Sequence, residues 1–143
     1  MRAKTTRVTL RIDLANGSRF GPGKIALLSG IAEHGSIRKA GEAIGMSYRR
    51  AWLLCDEINR MFKEDSIVTR HGGKSGGGAA LTHFGETLLS AARRMEAASV
   101  AAIASDIAML ERNLAPGLVS IDSAGTETKA AARSTSARTT EPD

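Results

Sequence analysis

Between Thr5 and Leu14 apolar and polar residues alternate, with Val8, Leu10, Ile12 and Leu14 on one side and Arg7, Thr9, Arg11 and Asp13 on the other. A period of two predicts a strand with one buried face. The turn formers of ANGSRFGPG end it. From Gly23 the period lengthens: Ile25, Leu28, Ile31 and Ala32 recur at three- and four-residue spacing, and His34-Gly35 closes a short amphipathic helix. Ser36 stands at an N-cap position before a second helix, IRKAGEAI, which Gly45-Met46 breaks. Ser47 caps a third, whose apolar stripe is Ala51, Leu54, Cys55, Ile58, Met61 and Phe62. SIVTRH and AALT then predict two short strands around a glycine-rich connection. After a capping Thr82 comes HFGETLLSAARRMEAASVAAIASDIAMLERNL, read as one helix of about 30 residues and so ~45 Å long.

The glycine-rich connection, RHGGKSGGGAA, contains a Gly-Lys-Ser triplet of the kind found in nucleotide phosphate loops. A phosphate loop also needs a first glycine five residues before the second and a helix directly after the serine. Position 68 is Val68, and Ser75 is followed by three more glycines. A hairpin tip accounts for the stretch better, with Lys74 at the apex and Arg70 and His71 at the base. Bare amide groups and a mobile positive charge suit a sugar-phosphate surface; a surface loop without a ligand is the alternative.

Just upstream, SIRKAGEAIGMSYRRAWLLCDEI has the spacing of a helix-turn-helix. Gly41 and Ala51 are small enough for two helices to cross closely, and Gly45 can take the positive φ of the turn. A helix-turn-helix, a hairpin and a long helix in that order predict a mostly α chain with a small β-hairpin wing. The predicted fold is a winged helix-turn-helix with an N-terminal strand and a long C-terminal linker or dimerisation helix. The expected division is a DNA-binding domain over 1–81, a dimerisation helix over 82–114, and a disordered Ala/Ser/Thr-rich tail over 115–143.

Charge sharpens this picture. The 143 residues carry 20 Lys and Arg against 15 Asp and Glu, a formal +5. Residues 1–20 hold a net +4, residues 21–112 a net +2 and residues 113–143 a net −1. The excess favours nucleic acid or another anionic surface as partner, and the tail is not a basic arm. One cysteine, Cys55, excludes an intramolecular disulfide and fits a reducing cytoplasm. No apolar run approaches the ~20 residues of a membrane span. No carboxylate pair, nucleophile–base set or metal-ligand spacing stands out, so neither an enzyme nor a bound cofactor is expected. A rival of another class is an interaction module that heterodimerises with, or modulates, a full-length regulator.

GPGKIALLSGIAEHGSI, GMSYRRAWLL and GGKSGGGAALTHFGE, taken together, resemble the N-terminal DNA-binding domain of ModE-type molybdate-dependent transcriptional regulators, itself similar to the winged domain of LysR-type regulators. The resemblance runs from about Val8 to about Leu110. Members usually carry glycine where this chain has Ser75. The resemblance implies double-stranded DNA as partner and a homodimer held by the first and last helices. By position it makes Ser47, Tyr48, Arg49 and Arg50 the recognition residues. Ser36 and Ser47, at helix N-termini, are placed to favour a phosphate. Full-length members carry a molybdate-binding module after the linker; about thirty residues remain here after Leu114, so molybdate is not expected to bind this chain.

Three further residues need weighing. Trp52 either braces the third helix or rests on DNA, with packing favoured. Tyr48, off the core stripe beside two arginines, is favoured as a contact to base or phosphate. Cys55, on the stripe, is read as an inert buried thiol. In the last helix Val100, Ile103, Ile107, Leu110 and Leu114 follow a 3-4-3-4 rhythm suited to a partner helix.

Overall fold

The computed structural model describes residues 5–70 and 77–116. The chain divides into two units, Met1–Asp106 and Ile107–Asp143, and the core described here lies in the first. It is mostly helical with two small antiparallel hairpins, an arrangement compatible with a winged helix.

The first hairpin is shorter than the alternating pattern predicts. Only β1 (Ile12–Asp13) pairs, with β2 (Arg19–Phe20), in the register Ile12 to Phe20 and Asp13 to Arg19. The reason is the length of the return strand: the chain turns at Leu14–Ser18, and helix α1 begins at Pro22, leaving nothing to pair with residues 5–11. The alternation holds only from Thr9 on: Leu10, Ile12 and Leu14 are partly buried while Thr9, Arg11 and Asp13 are exposed, and Val8, expected on the buried face, is exposed as well. The Asn16 side-chain amide donates to the Met61 carbonyl at 3.0 Å and so ties this hairpin to the far end of the third helix.

Helix α1 (Pro22–His34) opens with a proline at its first position, where a missing N–H costs nothing. Helix α2 (Ile37–Ala43) is capped by Ser36, whose hydroxyl accepts the Lys39 N–H at 3.1 Å. Helix α3 (Tyr48–Met61) is capped by Ser47, whose hydroxyl accepts the Arg50 N–H at 3.1 Å. Between α2 and α3 the chain turns at Gly45, φ 71°, and the Met46 N–H returns to the Gly41 carbonyl at 2.8 Å. A Cβ on Gly41 would stand 3.0 Å from the Ala51 Cβ, and one on Gly30 would stand 2.8 Å from the Ala40 Cβ. The crossings α1–α2 and α2–α3 are therefore as close as backbones allow.

The second hairpin pairs β3 (Ile67–Arg70) with β4 (Gly78–Leu81), Ile67 opposite Leu81 and Arg70 opposite Gly78. Asn59 of α3 anchors it. Its carbonyl oxygen accepts the Ser66 and Ile67 N–H groups at 2.8 and 2.9 Å, and its amide donates to the Ile67 carbonyl at 3.0 Å. The Ala79 N–H donates to the Gly35 carbonyl at 2.9 Å, fixing β4 to the end of α1. Thr82 caps α4 (His83–Ala102), accepting the Gly85 N–H and donating to the Asp65 carbonyl.

The core joins Phe20, Leu27, Leu28, Ile31, Ile37, Ala51, Cys55, Ile58, Met61 and Ile67 with Leu88, Leu89 and Ala92 of α4. Past Ala92 no residue of α4 is fully buried. In place of one helix over 83–114, the structure has α4 and α5 (Ala104–Arg112), separated at Ile103. That break contains neither proline nor glycine, the residues by which a sequence announces one.

Candidate nucleic-acid interface

The third helix has two faces. Ala51, Cys55, Ile58 and Met61 are buried, and Arg49, Leu53, Asp56 and Arg60, four, seven and eleven residues apart from the first, form an exposed stripe on the other side. This separation follows from the strongly amphipathic sequence of α3: the apolar spacing that fills the core leaves the alternate spacing in water.

Of the residues named from sequence, Ser36 and Ser47 are both N-caps. Their hydroxyls satisfy one N–H each, which leaves the other first-turn amides and the positive dipole end available to an anion. Tyr48, Arg49 and Arg50 occupy the first turn of α3 and are exposed. Among the described residues neither arginine is in an ion pair, whereas Arg60, three turns on, holds Asp56 at 2.9 Å. Arg70 is exposed at the end of β3. His71 and Lys74 lie outside the described residues.

The α3 stripe and β3 border one open groove of about 530 Å³, lined by Ile37 from α2, by Trp52, Leu53, Asp56 and Asn59 from α3, and by Val68 and Thr69 from β3. The outer face of α3 and the second hairpin thus lie side by side. Charge is unevenly spread: Asp56 and Asp65 sit on this groove, whereas the first turn of α3 carries Arg49 and Arg50. The anion-attracting end is the N-terminal one.

Arg38 is a member of this end that sequence reasoning misses. Its guanidinium lies 4.2 Å from the centre of the Tyr48 ring, and Tyr48 meets Trp52 edge to face with centroids 6.2 Å apart. The row Arg38–Tyr48–Trp52 holds the tyrosine by both its face and its edge. A signal was present, because Arg38 is two residues past the Ser36 cap and therefore at the same end of α2 as its anion-favouring terminus. Trp52 remains 38% exposed, so it braces Tyr48 more than it fills the core.

Lys24 of α1 also escapes the sequence reading. It is buried, donating to the Arg19 carbonyl at 2.5 Å and pairing with Glu57 of α3 at 2.5 Å. The contact joins the first hairpin, α1 and α3. Cys55 is buried as expected, and burial pushes its thiol up to about 12, so it stays protonated and unreactive at neutral pH. Among the described residues no group of three His, Cys, Asp or Glu could hold a metal ion. No helix among them is long and apolar enough to cross a membrane.

No protein-family model matches the chain. It is similar to the molybdenum-pterin-binding protein MopB of Rhodobacter capsulatus, 40% identical over 81 residues, which cover 57% of this chain and 30% of that protein. MopA of the same organism is 33% identical over 94 residues, covering 66% of this chain and 36% of its own length. The DNA-binding transcriptional dual regulator ModE of Escherichia coli K12 is 40% identical over 68 residues, 48% of this chain and 26% of that regulator. The chain is related to the ModE regulators and the Mop proteins, and its match spans about a third or less of their length.

Proposed function

We propose that this chain binds double-stranded DNA at specific sequences and acts as a transcriptional regulator. In this reading α2, the Gly45 turn and α3 are a helix-turn-helix, and the β3–β4 hairpin is its wing, in the LysR-like manner. The observation that carries it is the pair Arg49 and Arg50: exposed, free of carboxylate partners among the described residues, and placed in the first turn of a helix whose core face is fully used. Elsewhere on α3 a cation is neutralised within the helix; here two are left for an external anion. The first turn of a recognition helix is the part that reaches base edges in the major groove, where arginine takes guanine O6 and N7 together. Ser36, Ser47 and Arg38 flank it as phosphate contacts. Arg70, His71 and Lys74 meet the sugar-phosphate backbone. The relation to ModE, itself a DNA-binding regulator, supports the same assignment. Molybdenum binding is a property named for the Mop relatives and is not carried to this chain.

The functional unit proposed is a homodimer joined through α1 and the distal part of α4, presenting two copies of α3 to a partly palindromic site. A duplex selected by the protein from a random pool, then compared with non-specific duplex in a mobility-shift titration, tests both points. Arg49→Ala and Arg50→Ala each reduce the specific-to-non-specific affinity ratio by at least tenfold, as expected for loss of a bidentate base contact of about 1–3 kcal/mol. An unchanged ratio in both variants, or no retarded duplex at low salt alongside a stable complex with another protein chain, overturns the reading.

A further inference from the structure

We infer that Leu53 reads the C5 methyl group of a thymine beside the base pair engaged by Arg49. The inference rests on the DNA-binding reading and adds to it a second, apolar element of sequence preference.

Leu53 is 55% exposed, the most open large apolar side chain of α3. An isolated surface leucine carries no message, but this one is not isolated. It lines the same groove as Trp52 and Val68, which are 38% and 43% exposed, and Trp52 continues into Tyr48, 43% exposed. These four residues make an apolar strip on a helix whose opposite face is fully committed to the core. Two of the four are engaged locally: Tyr48 and Trp52 meet edge to face, and Arg38 lies over the Tyr48 ring. Val68 sits on β3, opposite Ala80, on the hairpin side of the groove. Leu53 belongs to the outward stripe instead, one helical turn after Arg49.

That position decides what it meets. Side chains four apart on a helix are neighbours, ~5–6 Å between Cβ atoms, and base pairs rise ~3.4 Å along a strand. With Arg49 at a guanine edge, Leu53 arrives one or two base pairs away in the same groove. The major groove offers one apolar group to meet it, the methyl of thymine. Asp56, the next residue of the stripe, is held by Arg60, so the polar side chain beyond Leu53 is already satisfied and does not compete for the same base.

The test uses the full chain and the duplex it selects from a random pool. Each thymine of that site is replaced in turn by uracil, which removes the methyl and nothing else. At one thymine per half-site the wild-type protein should lose about three- to fivefold in affinity, the size expected for one methyl group taken from water. Leu53→Ala should bind the thymine duplex as weakly as the wild type binds the uracil one, and uracil should then make no further difference. That non-additivity is the signature of direct contact. A flat uracil scan, or a Leu53→Ala protein that still distinguishes thymine from uracil, overturns the inference while leaving an Arg49-dependent site intact. Unaltered DNA binding by Leu53→Ala together with a lost protein–protein complex also overturns it, assigning the strip to a protein. Selection of no site at all is the failure of the DNA-binding reading itself. Circular dichroism of Leu53→Ala, expected to match the wild type because the side chain lies outside the core, keeps these outcomes apart.

Discussion

Two groups of small residues on helix surfaces do opposite things. Where α1, α2 and α3 cross, a Cβ added to Gly30 or Gly41 would come within 2.8 or 3.0 Å of an alanine Cβ on the facing helix. Along the distal part of α4, Ala97, Ala98, Ala101 and Ala102 are exposed, and Val100 among them is 49% exposed. In the first place smallness is consumed inside the chain, drawing helices together so that α3 is held at a fixed tilt. In the second it is left over, a surface on which another helix can approach. Composition alone does not separate the two, since both read as runs of glycine and alanine; the distance to a facing backbone does.

The sharpest way to break this contrast is to fill the crossing. Gly41→Leu places branched atoms where the Ala51 Cβ and the Met46 carbonyl already stand, 3.0 and 3.3 Å from the first added carbon. Neither neighbour is the end of a flexible chain. Urea unfolding followed by circular dichroism should show a loss of roughly 3 kcal/mol, at the upper end of overpacking costs. A loss under about 1 kcal/mol means the crossing can open without penalty and that the two regions do not differ as argued.

Packing is not the only tie at the crossing. Lys24 is buried between the Arg19 carbonyl and Glu57, and Glu57 itself is half exposed. Glu57→Ala leaves a buried ammonium with one carbonyl for company and should cost about 2 kcal/mol, the scale of a lost charge-assisted hydrogen bond. Adding Lys24→Met removes the stranded charge and should recover most of the loss, because a buried pair replaced as a unit is often neutral. Failure of the double variant to recover shows that the lysine contributes through something other than this pair.

Gly45 separates shape from conformation. A Cβ there would meet nothing within 4 Å, yet φ is 71°. Gly45→Ala should therefore cost about 1 kcal/mol through the backbone alone, and Gly45→Asn less, since asparagine tolerates this region. Equal costs for the two substitutions would point to a contact rather than to φ.

Most of this frame is readable from the chain. Ser36, Ser47 and Thr82 announce their helices because a hydroxyl one residue ahead of an apolar rhythm is what an N-terminus needs. The exposure of Arg49 and Arg50 follows from the stripe of α3. What escapes reading depends on partners distant in sequence. Alternation over Thr5–Leu14 declares a strand-like face but says nothing about whether a neighbouring strand is long enough to pair, and here it is only Arg19–Phe20. Lys24 stands three, four and seven residues before Leu27, Leu28 and Ile31, the spacing of a core position. Its charge argues for the surface until the acceptors on β2 and α3 are known. Arg38 and Tyr48 lie on different helices, and only the close α2–α3 crossing brings them together. The break at Ile103 has no marker residue at all.

The smallest effect on folding tests the other half of the comparison. Val100 sits eight residues past Ala92, the last fully buried position of α4, and is half exposed. Val100→Asp puts a charge into water within one helix and should leave the unfolding midpoint of dilute protein unchanged to within about 0.5 kcal/mol. In the proposed dimer the same change buries an unpaired carboxylate against an apolar partner, which is costly. Sedimentation at rising concentration should therefore show a protein that dimerises as wild type and stays monomeric as the variant. DNA binding should weaken alongside, since one copy of α3 without its mate engages half a site. A variant that dimerises like the wild type assigns the exposed alanines of α4 to solvent, and leaves the contrast with the α1, α2 and α3 crossing as one between packed and unused small residues.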